Sequence, residues 1–144
     1  MINKSIFKVL TLILASTAAL SFTGGFEENY SMNKKDKNNL KLLSAKTWGS
    51  VDAIKGGKKI DINKYAGETN ISFIVPKEKK VLPSISIKMG DNVRTFEFIV
   101  KNDSIQLKNA SGWNDYKIKS VSKTSLTLEQ VSDNVIWEWN MIAK

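Results

Sequence analysis

From Lys46 to the end of the chain, apolar and polar residues alternate with a period of two. Ile71, Phe73 and Val75 are interleaved with Asn70, Ser72 and Ile74; Ile85, Ile87 and Met89 with Ser84, Ser86 and Lys88; Phe96, Phe98 and Val100 with Thr95, Glu97 and Ile99. The pattern continues through Ile105 and Leu107, Tyr116 and Ile118, Leu126 and Leu128, then Val135, Trp137, Trp139 and Met141. Side chains of a strand point alternately to its two faces, so each run predicts a strand with one face buried. A helix would space its apolar residues three and four apart.

Between the runs lie residues suited to tight turns: Gly90-Asp91-Asn92, Asn102-Asp103, Ala110-Ser111-Gly112, Ser122-Lys123-Thr124 and Ser132-Asp133-Asn134. Gly, Asn and Asp tolerate positive φ and bond the nearby backbone. Gly56-Gly57 turns a hairpin after the first strand, and Pro76 and Pro83 bound a longer, Lys-rich loop. With a strand around Trp48, about eight strands follow one another, each paired with the next. Such a meander exposes two edges unless it closes, and eight strands is the number at which a barrel interior is just filled or holds one small ligand. The expected fold is all-β: an eight-stranded antiparallel up-and-down barrel with a short N-terminal helix through Leu40, Leu42 and Leu43. A β-sandwich is the alternative.

Residues 1–21 read differently. Lys4 and Lys8, then the apolar run Val9 to Leu14, then small residues up to Ala19, have the order of a secretory signal peptide, with cleavage after Ala19 or Ser21. The apolar run is too short to span about 30 Å of hydrocarbon. The chain has no Cys, so a Cys-linked lipid anchor and disulfides are both excluded. The expected organisation is a signal peptide over 1–21, a flexible leader over 22–39 and one barrel domain over 40–144. Export places the protein in the periplasm or outside the cell, with no transmembrane segment in the mature chain.

Absent residue types narrow the chemistry. There is no His, so Ser-His-Asp and Cys-His sites lack their base, and zinc lacks its usual ligands. No Gly-rich phosphate loop is present, and no cofactor is expected. Asp52, Asp61, Glu68, Glu97, Glu129 and Glu138 are read as a charged outer face, not as acid–base pairs. The reading is non-enzymatic, with no catalytic and no metal-binding residues. Net charge is +8, of which +6 lies beyond residue 21, nearly all from Lys, with Arg94 the single arginine. Nucleic-acid readers lean on Arg, so no nucleic-acid partner is expected; a solvated surface or attraction to anionic lipid or polysaccharide fits this charge.

Some local sequence is familiar. Leu42-Leu43-Ser44-Ala45-Lys46-Thr47-Trp48 resembles the opening of bacterial lipocalin-like domains, a Leu-rich helical turn followed by a Lys/Thr-Trp pair entering the first strand. Tyr116 to Val121 followed by Thr124 to Glu129 is similar to that family's penultimate hairpin, and Val135 to Met141 to its closing strand. Gly49 follows Trp48, whereas lipocalins proper carry Gly-x-Trp. The resemblance covers roughly 40–144 and implies a β-barrel that binds something apolar.

The aromatic residues carry the functional expectation. Trp48, Phe73, Ile87, Phe96, Phe98, Trp137 and Trp139 are the candidate interior positions. They would either line a pocket for a small apolar or amphipathic ligand or fill the barrel solid. In the second case the protein is an interaction module docking onto an envelope or surface protein. Ile74, Ile99, Ile136 and Ile142 favour that reading, because they fall on the face expected to be polar.

Overall fold

The alternating runs form strands. The computed structural model describes residues 32–78 and 80–144. The expected signal peptide and the leader up to residue 31 lie outside the described residues. Strands run β1 Thr47–Lys55, β2 Lys58–Asp61, β3 Thr69–Ile74, β4 Ser84–Met89, β5 Asn92–Lys101, β6 Ser104–Asn109, β7 Gly112–Val121, β8 Ser125–Ser132 and β9 Val135–Ala143. Two helices accompany them, α1 Lys34–Ser44 and α2 Ile62–Ala66.

Strands β3 to β9 pair in sequence order, all antiparallel, and β9 returns to β1 from Trp48↔Ala143 to Lys55↔Trp137. That last pairing closes the barrel and decides against a sandwich, which would leave two edges unpaired. The turns behave as their residues dictate. Gly56-Gly57, Asn102-Asp103 and Asp133-Asn134 all hold positive φ, the twist that a two-residue hairpin requires.

The second staff of the barrel is interrupted. Along one edge of β1, Asp52–Lys55 pair with β2, while Thr47 and Trp48 pair with β3. β2 and β3 therefore run in the same direction beside β1, with α2 inserted between them. The alternation did not reveal α2, because five residues are too few to show a helical period. Asp61 caps it by accepting from the Lys64 N–H, and Gly67, at φ 80°, ends it. A bulge between Gly49 and Asp52 lets both Trp48 and Val51 face inward, which strict alternation forbids.

Helix α1 closes one end. Its cap is Asn33, whose side chain accepts from the Asp36 N–H at 2.8 Å. Leu40 and Leu43 point into the barrel. The indole of Trp48 donates to the Leu43 carbonyl at 2.9 Å, satisfying an acceptor near the helix C-terminus. Asp36, the one buried charged residue among those described, accepts from the Asn102 and Asp103 N–H groups at 2.9 and 3.1 Å. Lys35 adds an ion pair to Asp103 at 2.8 Å. The helix thus starts inside the segment read as leader: residues from Lys34 onward are helical, and Asp36 is buried. A second difference concerns Val75. It continues the inward alternation in sequence, but β3 ends at Ile74 and Val75 is exposed. The following Pro76 cannot donate to a ladder, so the strand stops there.

Candidate functional site

The inward positions converge on one apolar interior. All seven candidate residues are buried. Phe73 and Phe98 meet edge to face, with ring centroids 5.3 Å apart. Trp137 and Trp139, two apart on β9, stack at 5.4 Å and 10°. The Lys55 ammonium sits 5.1 Å from the Trp137 ring, a cation–π contact at the end of β1 opposite α1. Trp48 is committed to the helix through Leu43.

The interior is not completely filled. A cavity of about 60 Å³ lies in the lumen, walled by residues of nearly every strand and by Ile62 of α2. Of the seven candidates, Ile87 and Trp139 line it; Trp48, Phe73, Phe96, Phe98 and Trp137 pack elsewhere in the core. Met89 and Met141, not among the seven, also line it and bring flexible, polarisable side chains to its wall. Their inward register is legible in the alternation, as the last buried positions of β4 and β9.

Polar groups are few inside. Tyr116 lines the cavity, and its hydroxyl accepts from the Gln130 side-chain N–H at 3.3 Å. Burial pushes the Tyr116 phenol up to about 12. The Thr69 hydroxyl donates to the Gly67 carbonyl. Trp139 Nε1 and Gln130 Oε1 are buried without a hydrogen-bond partner among the described residues. Such groups are uncommon in folded proteins and cost free energy where they occur.

None of the six carboxylates singled out in the sequence lines the cavity. Glu129 and Glu138 stand directly opposite each other on β8 and β9, an unfavourable arrangement that Lys119 relieves by pairing with both, at 3.7 and 2.7 Å. The Lys119 ammonium holds the Glu138 carboxyl below the usual carboxylate range. Asp52 and Asp61 likewise face each other across β1 and β2, with Lys59 3.3 Å from Asp52 and Asp61 used as the α2 cap. Like-charged neighbours at these places are balanced structurally.

The outer surface carries apolar residues where polar ones are usual. Ile74, Ile136 and Ile142 are exposed as expected, and Ile99 is half-buried. On β8 and β9, Val131 and Ile136 are direct cross-strand neighbours, 67% and 56% exposed. Trp113, on the adjacent β7 and also exposed, lies two residues from Asp115. All three lie near the turns at 110–111 and 133–134, at the barrel end opposite α1.

No family model, curated protein or solved structure matches the chain. Among the described residues no helix is long and apolar enough to cross a membrane.

Proposed function

We propose that the protein is an exported, lipocalin-like, non-enzymatic module whose barrel is mainly core and whose outer surfaces do the binding. One observation carries this reading. The lumen offers about 60 Å³, whereas pockets for metabolite-sized ligands run from about 300 to 1,000 Å³. Of the seven candidate side chains only Ile87 and Trp139 border the void, and the other five pack in the core. Apolar residues left outside, with Val131 and Ile136 the clearest, supply contact surface for a partner in the envelope or on the cell surface.

Tryptophan fluorescence tests the reading, because Trp139 lines the cavity and stacks on Trp137. Titration with fatty acids of eight or more carbons (about that length, from the pocket sizes above) is expected to give no saturable change. One-to-one saturation at micromolar ligand would overturn it.

A second reading is a carrier for a small apolar molecule with one hydrogen-bonding group. It is favoured by the unpartnered Trp139 Nε1 in a residue that borders the void. Ligands of about benzene size are the appropriate probes. A rise in Tm that grows with ligand concentration supports this carrier; no shift removes it.

A further inference from the structure

We infer that the barrel end closed by α1 docks onto a bilayer containing anionic phospholipid. The inference rests on the outer-surface reading and names a partner for a second outer surface, at the end away from Val131 and Ile136.

The strand directions place three features at this end. β3 runs out into the loop 75–83, β5 turns into β6 at Asn102-Asp103, and α1 lies across the opening. Helix α1 carries four Lys and one acid. That acid, Asp36, is buried and occupied by backbone N–H groups of the β5–β6 turn. Lys35 is spent on Asp103. Lys34, Lys37 and Lys41 are exposed on the face opposite Leu40 and Leu43, and they have no ion pair among the described residues. Together with Asn38 they border a shallow concavity.

The adjoining loop supplies the second component. Ile74, Val75 and Val81 are each about half exposed, and Lys77 and Lys80 stand beside them in solvent, with Glu78 the one acid in the loop. Exposed valines between lysines gain nothing from water. At a membrane surface they enter the headgroup–acyl boundary while the ammonium groups meet phosphate. A soluble polyanion would satisfy the lysines but not the valines, whereas a bilayer surface satisfies both. The opposite end also exposes apolar residues, Val93, Trp113, Val131 and Ile136, and Lys58, but there acidic residues stand among them. Its turns at 90–91 and 133–134 present Asp91 and Asp133, and Lys59 there is matched by Asp52.

The absence of Cys makes an end-resolved test simple. Val81→Cys and Val93→Cys each give one labelling position, at the docking end and at the start of β5 at the other end; both valines are exposed. Each variant of the full chain is labelled with an environment-sensitive dye and titrated with phosphatidylglycerol–phosphatidylcholine vesicles and with pure phosphatidylcholine vesicles. The expected result is a blue shift and intensity rise at position 81 with the anionic vesicles only, and none at 93. Membrane affinity of residues 1–21 would persist when the α1 lysines are removed, so the lysine substitutions separate it from docking by this end. In the Val81→Cys background, Lys34→Gln, Lys37→Gln and Lys41→Gln together are expected to weaken the response about 100-fold, at roughly fivefold per lysine, with unchanged circular dichroism. An equal response at 93, no response at either position, or a response indifferent to the triple substitution overturns the inference. Heparin binding that the triple substitution abolishes, with no vesicle response at 81, assigns the patch to polysaccharide instead. Vesicle failure with a silent fatty-acid titration removes the bilayer but leaves the outer-surface reading; a saturating fatty-acid titration removes that reading itself.

Discussion

Single residues show where this barrel departs from a uniform apolar core. The Tyr116 phenol is held up to about 12 by burial. Below pH 10 it is protonated in both folded and unfolded chains and adds no pH dependence. Between about 10 and 12 the unfolded chain loses the proton and the folded one keeps it, so stability falls as pH rises, by about 3 kcal/mol over the window. Tyr116→Phe is expected to cost about 1 kcal/mol at pH 7 through the lost Gln130 contact and to flatten this alkaline limb. Urea melts of both proteins from pH 8 to 12 check it; parallel limbs would contradict the assignment. Asp36 makes the opposite kind of interior contact, a carboxylate fully used. Asp36→Ala leaves two backbone donors unpaired and is expected to cost about 2–4 kcal/mol. Asp36→Asn keeps one acceptor oxygen and is expected to lose about half as much, measured by the same melts. Trp137 and Trp139 were readable as inward from their spacing alone. Asp36 was not, because its partners lie 66 and 67 residues away and nothing local signals them.

At the scale of elements, local chemistry and tertiary demand agree in most places. Hairpins form where Asn, Asp and Gly supply left-handed backbone, and the β8–β9 turn holds Asp133 and Asn134 at φ 53° and 61°. Asn134→Ala is therefore expected to cost about 1 kcal/mol, while Asn134→Gly should be close to neutral. Thermal melts separate the two; equal losses would mean that the Asn side chain, not its backbone, is what the turn needs. Elements that conflict with a simple pattern were the ones hidden in the sequence. α2 is one helical turn in line with two strand segments, and its sole fully buried side chain is Ile62. The bulge in β1 moves Val51 to the face of Trp48 and so breaks the alternation at the place where three partners, β2, β3 and β9, share one strand. Helix α1 carries only a weak apolar stripe, since most of its surface faces water and lysine.

For the whole molecule, closure has kinetic and thermodynamic consequences. The seam joins β1 to β9 across most of the described chain, so the barrel is not closed until both ends meet. Folding that must form such distant contacts is expected in the range of milliseconds to seconds. Far-ultraviolet circular dichroism and tryptophan fluorescence should unfold together, because Trp48, Trp137 and Trp139 belong to the same closed sheet. Two resolved transitions would show that the seam opens independently. The sequence by itself determined the β class, the approximate strand count, the turn positions and the inward face of nearly every strand. It could do so because alternation and turn chemistry are local properties of the backbone. Only the tertiary structure decided that the meander closes, that α1 seals one end through Asp36 and Trp48, and that the interior keeps about 60 Å³ in place of a ligand-sized pocket. Those outcomes depend on how side chains of known direction fill a fixed volume. That is a sum over all strands at once, and no single stretch of sequence contains it.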